Sequence, residues 1–142
     1  MKTQNYSNHA RFVPLFHFFT LIGTLVLLIG SIVNLVKSSG SNLYNASLIV
    51  FGALLLMLTA FYARGFSLKA QDRAIKAEEN FRHYLLTGKP LDSKITIRQI
   101  IGLRFASDEE FPELAKKATN ENLSEKDIKK SIKNWKADYY RV

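Results

Sequence analysis

The sequence predicts an all-α chain, an antiparallel transmembrane helical hairpin followed by a small cytoplasmic helical domain. Three observations lead there. Two apolar runs, 15–36 and 44–63, contain no Lys, Arg, Asp or Glu, and each reaches the roughly 20 residues a helix needs to cross the hydrocarbon core of a bilayer. All twelve acidic residues and seventeen of the twenty Lys and Arg lie at or beyond Arg64. The segment between the runs, Lys37-Ser38-Ser39-Gly40-Ser41-Asn42-Leu43, is too short to hold a domain, which makes the two helices antiparallel neighbours. The chain thus divides into an N-terminal interfacial segment (1–14), the hairpin (15–63) and a tail (64–142).

In the first segment, Tyr6, Phe12, Phe16, His17, Phe18 and Phe19 suit the headgroup region, where amphipathic rings are favoured. His9 and His17 are metal- or haem-ligand types, but without a nearby Cys or carboxylate they read as interfacial anchors. Pro14 fits the first turn of a helix, where its missing N–H is no loss. The first apolar run is longer than a signal peptide's core of about 7–15 residues, lacks a small-x-small cleavage site and is followed at once by the second run. Both runs are therefore expected in the mature protein.

Lys and Arg concentrate on the cytoplasmic side of membrane helices. Lys2 and Arg11 flank the first helix, Arg64, Lys69, Arg73 and Lys76 follow the second, and the connecting turn offers only Lys37. Both termini are thus expected in the cytoplasm. Along the first helix Thr20, Gly23, Thr24, Gly30, Ser31 and Asn34 share one arc of about 120° at 100° per residue. In the second, Ala46, Ala53 and Ala60 repeat at seven, as do Asn45, Gly52 and Thr59. In lipid such stripes predict helix packing, small residues allowing close approach while hydroxyls and amides bond across.

In the tail, Phe66, Ala70, Ala74, Ala77, Phe81 and Leu85 recur at three- and four-residue intervals, predicting an amphipathic continuation of the second helix that faces a core. Gly88 and Pro90 end it. The run Ile95, Ile97, Ile100, Ile101, Leu103 and Phe105 predicts a further helix, with a strand open for its beginning. Ser107-Asp108-Glu109-Glu110 has the pattern of a capping box and Ser124-Glu125-Lys126-Asp127 an acidic variant of it. They predict one helix carrying Phe111, Leu114, Ala115 and Ala118, and a last helix carrying Ile128, Ile132 and Trp135.

Candidate chemistry is sparse. The absence of cysteine excludes disulfides, thiolate metal sites and cysteine nucleophiles. Glu79 and His83 stand four apart, one residue off the Glu-x-x-His spacing of carboxylate-bridged metal bundles, and read as a solvated helix-face pair. Asp108, Glu109, Glu110 and Glu113 complement a helix dipole. No phosphate-binding glycine loop, nucleophile elbow or zinc signature occurs, and no cofactor is expected. The functional surface the sequence suggests is the basic amphipathic end, with Lys129, Lys130, Lys133, Trp135, Tyr139 and Tyr140 as docking residues for anionic lipid or an acidic partner, although the stripe of Ile128, Ile132 and Trp135 also fits the tail's own core. No groove-reading motif accompanies it, so nucleic acid is not expected.

The start Gln4-Asn5-Tyr6-x-Asn8-His9-x-Arg11, the block 103–110 (LRFASDEE) and the ending Ile128-Lys129-Lys130-x-Ile132-Lys133-x-Trp135-x-x-Asp138-Tyr139-Tyr140-Arg141-Val142 resemble a family of small bacterial two-helix membrane proteins of unknown function. The resemblance implies an inner-membrane location and supplies no activity or catalytic residue. The expectation is a non-enzymatic bacterial inner-membrane protein whose tail binds a protein partner or a second copy. The alternative is a small subunit of a transporter or channel.

Overall fold

A computed structural model describes residues 4–139 of the chain. Among these residues the regular structure is helical, five α-helices and one π-helical turn, with no strand. The turn, Leu15–Thr20, runs into α1, Leu21–Lys37. The helices α2, Asn42–Thr87, α3, Ile97–Leu103, α4, Phe111–Asn120, and α5, Glu125–Ser131, follow. Lys2 and Arg141 lie outside the described residues. The chain forms two compact units, one of residues 11–67 and one of residues 1–10 with 68–142.

The first unit contains α1 and the beginning of α2, joined through residues 38–41, where Gly40 takes φ +58°. Its buried residues are Ser31, Ala46 and Ala53, all at most 4% exposed. One small buried residue on α1 and two on α2 are what packing of the two helices on each other requires. Of the remaining packing residues read from the sequence, Thr20, Thr24, Gly52 and Ala60 are half-buried, whereas Gly23, Gly30, Asn34 and Thr59 are exposed. A Cβ added at Gly23, Gly30 or Gly52 would meet nothing within 4 Å, so the glycines do not bring the backbones together. The hydroxyls also depart from expectation. Thr24 donates to the carbonyls of Thr20 and Leu21, and Ser31 to that of Leu28, so both are satisfied within their own helix instead of across the pair.

The second unit is built on the C-terminal half of α2. That helix ends as read: Gly88 adopts φ +72° and donates its N–H to the Tyr84 carbonyl at 2.8 Å. Its buried face is not the one expected. Phe66, Phe81 and Leu85 are 61–67% exposed, and Ala70, Ala74 and Ala77 are exposed too. The buried positions are Ile75 and Glu79. Ile75 joins the core formed by Ile100, Leu103, Phe105, Phe111 and Ile128.

Helix α3 starts at a full capping box that the sequence reading passed over. Gln99 donates its backbone N–H to Thr96 Oγ1 and accepts the Thr96 N–H on Oε1. The Gln99 amide nitrogen, buried, then donates to the Ala118 and Leu123 carbonyls at 2.9 and 3.1 Å, tying the start of α3 to the end of α4. Helices α3 and α5 cross closely at Gly102, where an added Cβ would fall 3.1–3.2 Å from Ile128 and from the Glu125 carbonyl oxygen. Helix α4 begins at Phe111 without a side-chain cap from Glu110; of the box read at 107–110 one half forms, Ser107 Oγ accepting the Glu110 N–H at 3.4 Å, while the Glu110 carboxylate turns elsewhere. At α5, Ser124 does accept the Asp127 N–H.

The last helix is shorter than predicted. It stops at Ser131; Ile132 is extended, and Trp135 sits in an isolated antiparallel bridge with Ala106. The Ser107 N–H donates to the Asn134 carbonyl and the Lys136 N–H to the Phe105 carbonyl. The Glu110 carboxylate, assigned from sequence to a helix dipole, accepts the backbone N–H groups of Lys133 and Asn134 at 3.2–3.3 Å. These bonds capture the chain before another helical turn can form.

The burial of Ser31, Ala46 and Ala53 sets up a direct comparison. Ala53→Leu should lower stability in detergent by about 1–3 kcal/mol, the usual cost of overpacking, whereas Gly23→Leu should leave it nearly unchanged. Thermal unfolding of the two variants of the full chain measures the difference.

Candidate functional site

The polar centre of the second unit is Arg82. It lies on the same α2 face as Ile75 and Glu79, at spacings of four and three, which presents all three to the neighbouring elements. Its guanidinium donates to Asp108 Oδ1 through Nε at 2.7 Å, to Glu79 Oε2 through Nη1 at 3.0 Å and to the Ala106 carbonyl through Nη2 at 2.7 Å. Its Cζ stands 4.5 Å from the centre of the Phe111 ring. The Arg82 and Glu79 side chains are only 11% and 12% exposed. Burial pushes the Glu79 carboxyl above the ordinary carboxylate value, against the lowering influence of Arg82. Asp108, on the exposed rim, is held below its ordinary value by the hydrogen bond from Arg82.

This network corrects the reading of Glu79 and His83 as a solvated pair. Glu79 turns to Arg82, and His83 Nδ1 sits 2.7 Å from the Lys89 carbonyl, so it closes the C-terminus of α2. Among the described residues no group of three or more His, Asp or Glu is placed to hold a metal ion.

The basic terminal segment divides. Lys129 is buried, 2.6 Å from Glu125 and 5.4 Å from the Phe105 ring centre. It is therefore part of the folded interior and not of a docking face. Lys130 and Lys133 are exposed, Trp135 is half-buried and Tyr139 is 56% exposed. Tyr140 lies outside the described residues. Trp135 packs on Phe105 with ring centres 5.0 Å apart, and His9 lies 5.8 Å from both rings. His9 thus belongs to the tail unit, a placement that its proximity to the apolar run disguised. Gln4 does likewise: its side-chain oxygen accepts the Asp138 N–H at 2.8 Å. Arg104, buried, pairs with Asp138 at 3.3 Å, and burial depresses its guanidinium from the ordinary value.

Two open grooves lie beside this network. One, of about 460 Å³, is lined by Arg73, Lys76 and Asn80 of α2 and by Leu91, Asp92 and Ile95 among others; the other, of about 420 Å³, by His83, Lys89, Glu113 and Lys116 among others. Their walls mix charges of both signs without a converging set. The sequence reading did not single out Arg82, Arg104 or Gln4 as structural, because their partners Asp108, Ala106 and Asp138 are distant in sequence. The signal for Arg82 was its register with Ile75 and Glu79.

The chain belongs to a family of unknown function, DUF6526, and the match spans residues 1–142. No curated protein and no solved structure matches it.

Arg82→Met should destabilise the tail by about 3–5 kcal/mol, because the substitution strands a buried carboxylate. Glu79→Gln should cost far less, since Arg82 keeps Asp108 and the Ala106 carbonyl. Chemical denaturation of the full chain, followed by Trp135 fluorescence, reads both.

The two carboxylates act oppositely with pH. Asp108, displaced downward, contributes stability that is present above its unfolded value and lost as pH falls through its folded value. Glu79, displaced upward, disfavours the folded state at neutral pH, and protonation relieves this as pH falls through its folded value. Asp108→Asn should therefore flatten the loss of stability on acidification, and Glu79→Gln should steepen it, measured as the denaturation midpoint against pH below neutrality.

Proposed function

We propose that this chain is a non-enzymatic protein of a bacterial inner membrane, crossing it twice with both termini in the cytoplasm, whose tail assembles with another protein chain. The carrying observation is the surface of the two apolar helices. Leu15–Lys37 and Asn42–Thr87 each contain a window long and apolar enough to span a membrane, and only 6% and 11% of those windows is buried within the chain. A core helix of a water-soluble protein hides its apolar side chains, whereas here Ile22, Val26, Ile29, Leu48, Phe51 and Leu55 are exposed. Contiguous apolar surface of this extent is stable against lipid and not against water.

Several features support the two-span placement with both termini inside. The turn 38–41 is short, Lys37 is the one charge near it, and Lys2, Arg11 and Arg64 flank the opposite ends. Helix α2 has 46 residues, roughly 69 Å at 1.5 Å per residue, more than twice a hydrocarbon core of about 30 Å. Its charged second half must then stand in water. The tail that follows spends its buried charges on internal pairs, which supports a scaffold or assembly role over chemistry.

Reporter fusions test the topology. A reporter after Met1 and one after Val142 should both report cytoplasm, and one inserted at Gly40 the outside; a C-terminus on the outer side would overturn the proposal.

A further inference from the structure

We propose that the exposed face of the second half of α2 pairs with the same face of a second copy of this chain, as a parallel two-stranded helix. The inference deepens the assembly role proposed above and gives the partner as the chain itself. The tail packs on the Ile75, Glu79 and Arg82 side of α2. On roughly the opposite side Ala70, Ala74, Ala77, Phe81 and Tyr84 fall within an arc of about 80° at 100° per residue. All five are exposed, Phe81 at 62% and Tyr84 at 53%. Their spacing is four, three, four, three, the alternation of a and d positions at a helix–helix seam, and none is charged. A helix in contact with solvent alone has no reason to keep a charge-free, 3.5-period seam beside positions as polar as Lys69, Asp72 and Lys76.

The flanking charges select the occupant and its direction. With Ala74 and Phe81 at a positions, and Ala70, Ala77 and Tyr84 at d positions, Arg73 takes a g position and Glu78 the following e position. In a parallel pair a g residue faces the e residue five positions on in the partner, so Arg73 meets Glu78 of the second copy, twice by symmetry. An antiparallel pair sets g against g and e against e, which with the seam overlapped places Arg73 near Asn80 and denies it Glu78. Neither residue is in an ion pair within the chain among the described residues. The alanines allow close approach near the start of the seam, and Phe81 and Tyr84 supply large apolar area at its end.

Because the natural sequence lacks cysteine, single cysteines report the pairing in native membranes of the full chain. On oxidation with copper–phenanthroline, Ala70→Cys, Ala74→Cys and Ala77→Cys should each give a disulfide dimer, because a and d positions face their own copies in a parallel pair. Lys76→Cys, exposed on another face, should give several-fold less. In the Ala74→Cys background, Arg73→Glu or Glu78→Arg alone should cut the dimer several-fold, and the two together should restore it. Equal yields at positions 74 and 76, cross-linking at only one seam position, or no rescue by the double reversal would each overturn the proposal. A monomer with both termini cytoplasmic would overturn it too, and would leave the proposed topology standing.

Discussion

The fold of the tail depends on one guanidinium. Arg82 donates at once to its own helix, through Glu79, to the 104–108 loop, through the Ala106 carbonyl, and to Asp108 at the head of the next helix. Planarity and a fixed fork of donors suit arginine, and not lysine, to three acceptors in one plane over a ring face. What Arg82 holds is used again. With residues 105–107 in place, the Phe105 carbonyl and the Ser107 N–H are free to pair with Lys136 and Asn134, and the Phe105 ring is presented to Trp135. On that return strand-like segment the N-terminal residues then rest, Gln4 against Asp138 and His9 against the two rings. The order of dependence runs from α2 to the loop, from the loop to the C-terminal segment, and from there to the N-terminus.

Both carboxylates around Arg82 are needed for different reasons. Glu79 is buried and costs desolvation, so its value lies in fixing the arginine's rotamer and direction. Asp108 keeps contact with solvent and supplies a charge-assisted bond at smaller cost. The pair shows how a small unit with few buried large side chains, Phe105 and Phe111 chief among them, can still specify one arrangement of three short helices. Gln99 does the same for α3 and α4 with a neutral group whose donors and acceptor are all engaged.

The local signals in the sequence were sufficient for the helices. Apolar runs without charge, Gly88 before Pro90, and Ser124 ahead of an acidic turn carry their own physics and need no tertiary partner to be read. What depended on tertiary partners was misread. The stripe of Phe66, Phe81 and Leu85 has the period of a buried face, yet the tail settled on the side that carries Ile75, Glu79 and Arg82, where Ile75 enters the core and Arg82 binds the 104–108 loop. Trp135 fits the helical period from Ile128 and Ile132, but Glu110 and the Ala106 bridge hold it extended, and neither contact is visible in spacing. Lys129 looked like part of a basic surface; its partner Glu125 is four residues away, a pairing that the sequence does offer, but its burial against Phe105 comes from the fold. Gly23 and Gly52 looked like points of close approach because size was the only cue, yet a Cβ at either meets nothing within 4 Å, and the buried residues are Ser31, Ala46 and Ala53.

The central claim is that the tail is a single cooperative unit organised from α2. Hydrogen exchange of the full chain in lipid nanodiscs measures this most directly. The account predicts that the amides of Ser107 and Lys136 open together with those of α3 and α5, in one transition of common free energy. Exchange of Ser107 and Lys136 that is orders of magnitude faster, while α3 and α5 stay protected, would contradict it, since the C-terminal return would then be an appendage instead of part of the unit that Arg82 holds.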